Sequence, residues 1–191
     1  MIYYTCSYIP LEVLMGSDIE FQRLMRSSPT SSHELGCNLC GYAKTVYQKG
    51  MELDSNDCLL IVDSCDAMRR VGDLLDEHSL ANVFILRLPW KRGLEAVTFL
   101  SGEIQRLVSF LDSSAISIDL SEGVRRFNKL VDHVLANEKE LAAGDLTDLY
   151  LHALNGKQGS FTSKSGATAC TSRLAITGGI TDIVALDEAV K

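Results

Sequence analysis

What this sequence lacks narrows it first. Its longest apolar runs, Cys58–Val62 and Val83–Leu86, are far too short for a bilayer span, which takes about twenty apolar residues in a helix. Met1–Pro10 has no Lys or Arg ahead of its apolar residues, so it does not read as a secretory leader. Basic charge is also scarce: 18 Lys and Arg against 25 Asp and Glu give a formal charge of -7. The pairs Arg69-Arg70, Lys91-Arg92 and Arg125-Arg126 are scattered and read as solvated helix faces. Without a basic stripe, nucleic-acid binding is excluded. No Gly-x-Gly-x-x-Gly occurs, and Gly156-Lys157 lacks the upstream glycine and following Ser or Thr of a phosphate-binding loop. The four histidines, His33, His78, His133 and His152, form no catalytic constellation. The expectation is a cytoplasmic protein with neither membrane nor nucleic acid as partner.

What is present fits a folded domain. The chain is 46% hydrophobic and 23% charged, far from a disordered composition. It has six cysteines, and in a reducing compartment metal binding or redox chemistry is favoured over structural disulfides. Two segments stand out: Cys37-Asn38-Leu39-Cys40-Gly41-Tyr42-Ala43-Lys44, and its echo Asp63-Ser64-Cys65-Asp66-Ala67-Met68-Arg69-Arg70. Each sets a cysteine where a loop gives way to a helix. Helix starts offer unpaired N–H groups and a positive dipole end, which favour thiolates and anionic clusters.

In chain order, Ile2–Cys6 reads as a strand and Pro10 opens a short helix through Met15. Phe21–Met25 is a short element of either type, and the polar stretch from Ser27 to His33 is a loop. A helix is predicted from Cys40 to about Met51, with Ala43, Val46, Tyr47 and Met51 at helical spacing. Cys58–Val62 has the continuous apolar character of a strand covered on both faces. Ala67–Leu75 reads as a helix, Val83–Leu86 as a second buried strand, and Gly93–Leu111 as a long amphipathic helix. Strand and helix alternating at this spacing predict an α/β fold, a Rossmann-like parallel sheet with flanking helices.

Four regions are expected. Residues 1–115 form an N-terminal α/β domain. Residues 116–157 are a helical segment, with a helix start at Ser121-Glu122 and a further piece over Leu146–Leu154. Residues 158–172 are a Ser/Gly-rich linker. Residues 173–191 are the first βα unit of a second domain, strand Arg173–Thr177 then helix Thr181–Val190. The intervening Gly178-Gly179 reads as a turn, with phosphate cradling as the alternative.

In an open parallel sheet, residues just past the C-terminal ends of the strands line the edge where ligands bind. Cys6 follows the first strand and Cys65 follows the strand at 58–62. Cys37 or Cys40 reaches the same edge if the loop before the helix rises there. Thiolates so placed suit an iron–sulfur cluster or zinc. One Cys-x-x-Cys with no second pair falls short of a zinc ribbon. A redox dithiol and purely structural thiols stay open as alternatives.

The ordered set Tyr4–Glu12, Cys37–Lys44 and Val62–Arg70, with Leu88-Pro89 and Arg173–Gly179, resembles the 2-hydroxyacyl-CoA dehydratase D-component family, which includes the benzoyl-CoA reductase subunits. The likeness covers about residues 1–155 and the short unit at 173–191. It implies an iron–sulfur subunit of a lyase, holding a [4Fe–4S] cluster near an acyl-CoA substrate. Two cluster cysteines map onto Cys40 and Cys65, and Cys37 is a neighbour able to substitute. It further implies an ATP-dependent activator that delivers one low-potential electron, a ketyl radical that expels the 2-hydroxyl group, and a second dehydratase subunit or a homo-oligomer. Family chains are considerably longer and draw the third cluster cysteine from a second domain. This chain reads as truncated after the first domain; Cys170 lies before the last strand, not where the third ligand belongs, and Cys6, on the right edge, could substitute for it. The alternatives are a related low-potential reductase of another small molecule and a non-catalytic metal-binding remnant.

Overall fold

The structure, a computed structural model, describes residues 1–25, 39–137 and 155. The chain divides into two compact units, Met1–Val124 and Arg125–Lys191. Among its described residues the first holds four strands, β1 (Ile2–Tyr4), β2 (Phe21–Arg23), β3 (Cys58–Val62) and β4 (Asn82–Leu86). Between and after them run α1 (Leu11–Met15), α2 (Gly41–Glu52), α3 (Asp66–His78) and α4 (Leu94–Ser113). Helix α5 (Leu120–Asn137) begins in this unit and carries into the next. Residues 138–154 and 156–191, with the expected linker and the βα unit at 173–191, lie outside the described residues.

The strands form one sheet in the order β2-β1-β3-β4, and every pairing is parallel. The α/β expectation is met, since each parallel step needs a crossover. Phe21–Arg23 resolves as the outer strand beside β1, with Ile2 opposite Phe21.

Position in the sheet explains the burial of each strand. All five residues of β3 are buried, as its continuous apolar run requires in a strand flanked and covered on every side. Among the described residues β4 has one neighbour, and its Asn82, Val83 and Ile85 keep partial or full exposure. On one face Leu59, Ile61 and Val83 pack with Ala43 and Val46 of α2 and with Met68, Val71 and Leu75 of α3. Side chains alternate along a strand, so Leu60, Phe84 and Leu86 turn to the opposite face. There Phe84 meets Phe110 of α4 with ring centroids 5.2 Å apart. Each fully buried side chain of this kind stabilises by about 1.5–3 kcal/mol relative to exposure.

Among the described residues, helix α4 packs by its second half. Glu103, Leu107 and Leu111 are buried, whereas Leu94, Val97 and Phe99 are exposed. Lys91 and Arg92 precede this helix in a loop, not on a helix face as expected from sequence.

Candidate metal centre

Chain direction decides which side chains share an edge. The path runs from β1 outward to β2, then returns to place β3 on the other side of β1. The strand order therefore reverses between β1 and β3, the point where open α/β sheets leave a crevice beyond the strand C-termini. Cys6 lies two residues past the end of β1. Cys65 lies three residues past the end of β3 and is the N-cap of α3.

Cys40 reaches the same edge through Tyr42. Its hydroxyl donates toward the Thr5 carbonyl, just past β1, and lies 3.0 Å from the Leu24 carbonyl, just past β2. Those contacts fix the first turn of α2 over the strand ends. Cys40 is the N-cap of α2, and its sulfur accepts from the Ala43 N–H at 3.5 Å. The Cys40 carbonyl accepts from Lys44 and that of Cys65 from Arg69, so both residues open their helices in the same way.

Cysteine is an unusual choice at an N-cap, where Ser, Thr, Asp and Asn satisfy the free N–H groups far better. The Cys65 side chain makes no capping bond. Cys40 and Cys65 are exposed thiols, Cys6 is half-buried, and none of them is in a disulfide. Cys58 is also a free thiol but is buried within β3, where burial pushes it up. It opens β3, at the opposite end from the strand C-termini. Cys37 and Cys170 lie outside the described residues.

Burial pushes the Tyr42 phenol up to about 12, with Arg23 acting in the opposite sense and Cys6 and Cys40 adding to the rise. Both thiols thus sit within electrostatic reach of one buried hydroxyl. Among the described residues, no three His, Cys, Asp or Glu side chains converge to hold a metal ion.

Around Cys65 the first turn of α3 is held by charge. Arg69 lies 4.0 Å from Asp63 and 3.6 Å from Asp66, and its guanidinium sits 5.8 Å from the centre of the exposed Trp90 ring. Asp63 also accepts from the Leu88 N–H at 2.9 Å, which ties the loop after β4 to the end of β3. Sequence reading missed Tyr42, Asp63 and Arg69. All three lay inside recognised segments, yet their partners become visible only once the strand ends stand side by side.

No helix among the described residues is long and apolar enough to cross a membrane. No curated protein and no solved structure matches the chain significantly. A family model described as 2-hydroxyglutaryl-CoA dehydratase, D-component, does match, over residues 6–139, a span that takes in Cys6, Cys40 and Cys65. The chain belongs to the 2-hydroxyglutaryl-CoA dehydratase D-component family.

Proposed function

We propose that this chain is the iron–sulfur subunit of a 2-hydroxyacyl-CoA dehydratase, with Cys40 and Cys65 as ligands of a [4Fe–4S] cluster. The reaction is the elimination of water from a 2-hydroxyacyl-CoA, started by one electron from an ATP-dependent activator, and a second dehydratase subunit or a second copy completes the assembly. One observation carries this reading: two exposed, unbridged thiols open α2 and α3 on the same sheet edge, at the reversal of strand order.

The donor set fits such a cluster, which takes soft thiolates. When bound, a cluster with one iron short of a thiolate supplies a Lewis-acid position and low-potential electron transfer. The remaining ligation comes from Cys6, from Cys37 or from a residue outside the described set.

The chain's own groups have definable tasks. The Ala43 N–H and the start of α2 favour negative charge on a metal-bound Cys40 sulfur. Tyr42 holds that helix start in place through two carbonyls. Arg69, held by Asp63 and Asp66, keeps a cation one turn from Cys65, where it offsets the charge of an anionic cluster or of substrate phosphates.

The test is anaerobic reconstitution with iron and sulfide counts and electron paramagnetic resonance. Cys40→Ser and Cys65→Ser should each lose most of the bound iron while remaining folded. Iron content unchanged by both substitutions would overturn the ligand assignment. Assays on 2-hydroxyacyl-CoA substrates with an activator present then separate dehydration from the second reading, a non-catalytic metal-binding module.

A further inference from the structure

Trp90 is the chain's one tryptophan, and it is 86% exposed. An aromatic so placed contributes little to the core, so burial does not account for it. It lies four residues past β4, on the loop into α4, beside the first turn of α3 that Cys65 opens. The loop is rooted at both ends. The Leu88 N–H donates to Asp63 at 2.9 Å, and Gly93, at φ 137°, turns the chain into α4 through a backbone geometry that glycine adopts readily.

One face of the ring is taken. Arg69 sets its guanidinium 5.8 Å from the ring centre, and Asp63 and Asp66 steady that guanidinium at 4.0 and 3.6 Å. Both separations are longer than hydrogen bonds. Among the described residues no hydrogen bond consumes the five N–H donors of this side chain. The other face of Trp90 is open to solvent.

Further cations stand close by. Lys91 and Arg92 follow Trp90 directly and are exposed, and among the described residues no ion pair engages either of them. The acids nearby are Asp63 and Asp66, both paired with Arg69, and Glu95 in the first turn of α4. An aromatic face ringed by donors narrows the ligand. A flat apolar group would leave the cations unused, and a bare phosphate would leave the ring unused. A nucleotide uses both.

We infer that Trp90, with Arg69, Lys91 and Arg92, docks an adenosine phosphate, the nucleotide end of the acyl-CoA. The purine stacks on the open face of the ring, a guanidinium backs the opposite face, and the phosphates take charge-assisted hydrogen bonds from the surrounding cations. Arg69 is one helical turn from Cys65, so the nucleotide is held at the crevice rim while the long arm of the thioester runs back toward the thiols. The inference deepens the dehydratase reading and rests on it for coenzyme A as the source. A free adenine nucleotide shares the same chemistry.

The experiment titrates the full-length chain, without added iron, against acetyl-CoA, ADP and S-acetylpantetheine, reading Trp90 fluorescence. Acetyl-CoA and ADP should quench the emission saturably, and S-acetylpantetheine, which has no nucleotide, should leave it unchanged. Tighter binding of acetyl-CoA than of ADP upholds coenzyme A as the source; the reverse order upholds the stacking site and reassigns it to a free nucleotide. By calorimetry, Trp90→Leu should weaken acetyl-CoA binding about tenfold or more, with its salt dependence unchanged. Lys91→Gln/Arg92→Gln should weaken it similarly and flatten the salt dependence, because phosphate contacts are lost. Circular dichroism confirms that each variant is folded. No quenching by either nucleotide would overturn the inference, as would equal quenching by S-acetylpantetheine or unchanged binding in Trp90→Leu. So would an emission shift that follows protein concentration and ignores nucleotide, which would mark the loop as an interface between copies. Since the titration needs no iron, quenching by a chain that assembles no cluster would count against the dehydratase reading alone. Cluster assembly without quenching would count against this inference alone.

Discussion

Burial strips solvent from the Tyr42 phenolate and raises the phenol from 10.0 to about 12. The folded chain therefore holds this proton more tightly than the unfolded chain. Its contribution is complete below pH 10 and is lost as pH rises toward about 12, with a slope approaching ~1.4 kcal/mol per pH unit. Urea unfolding midpoints across this alkaline range should fall less steeply in Tyr42→Phe than in the unaltered chain. At neutral pH the same variant should be about 1–3 kcal/mol less stable, because the Thr5 carbonyl loses its donor. A second residue-scale prediction concerns Cys65. Serine caps a helix better than cysteine, so Cys65→Ser should stabilise the metal-free chain by about 0.5–1 kcal/mol while lowering its iron content. Unfolding curves recorded with and without reconstitution check both halves. Cys40 and Cys65 were legible in the sequence because apolar period and loop composition mark where each helix begins. Tyr42 was not, since its partners lie 37 and 18 residues away and nothing local announces them.

Between elements, small residues set the distance of approach. A Cβ at Gly50 would meet the Leu75 methyls at 2.6 and 2.7 Å and Leu59 at 3.1 Å, so α2 reaches α3 and β3 only because no side chain intervenes. Ser79 closes the contact by donating to the Gly50 carbonyl at 2.8 Å. Gly50→Ala gains about 1 kcal/mol of helix propensity but must displace branched core side chains, typically at 1–3 kcal/mol. The net effect should be destabilising, read as a lower thermal midpoint. The crossing of α1 and the start of α5 is tighter. A Cβ at Gly123 would fall 1.9 Å from the Glu12 carbonyl oxygen and 2.7 Å from the Gly16 nitrogen. Backbone cannot rotate aside as a side chain can, so Gly123→Ala should cost about 3 kcal/mol or more. Elements with a clear period were readable from sequence: β3 was expected and found at Cys58–Val62, and α4, expected at Gly93–Leu111, runs Leu94–Ser113. β2 was not, because Phe21–Arg23 has only three residues and becomes a strand by pairing with β1.

At the scale of the whole molecule, the alternation of strands and helices was enough to expect a parallel sheet, but the strand order was not readable. Order depends on which crossover passes over which face, a property of the assembled sheet. That order also sets a timetable. β3, α3 and β4 follow one another directly in the chain, whereas β1 pairs with β3 across a long separation, as in the Thr5 N–H to Leu60 carbonyl bond, 55 residues apart. Distant pairings must first overcome the entropy of closing a long loop. Pulse-labelled hydrogen exchange during refolding should therefore protect the amides of β3 and α3 before the Thr5 amide; simultaneous protection would contradict this sequence of events. Cys65 would then be in place early, while Cys6 and Cys40 would arrive only as β1 docks. Iron supplied during refolding would find one thiol on a formed edge and the others still on loose chain. If the proposed cluster binds at these thiols, its loading should be rate-limited by the last strand to close, and the kinetics of metal uptake would then be a clock for the completion of the sheet.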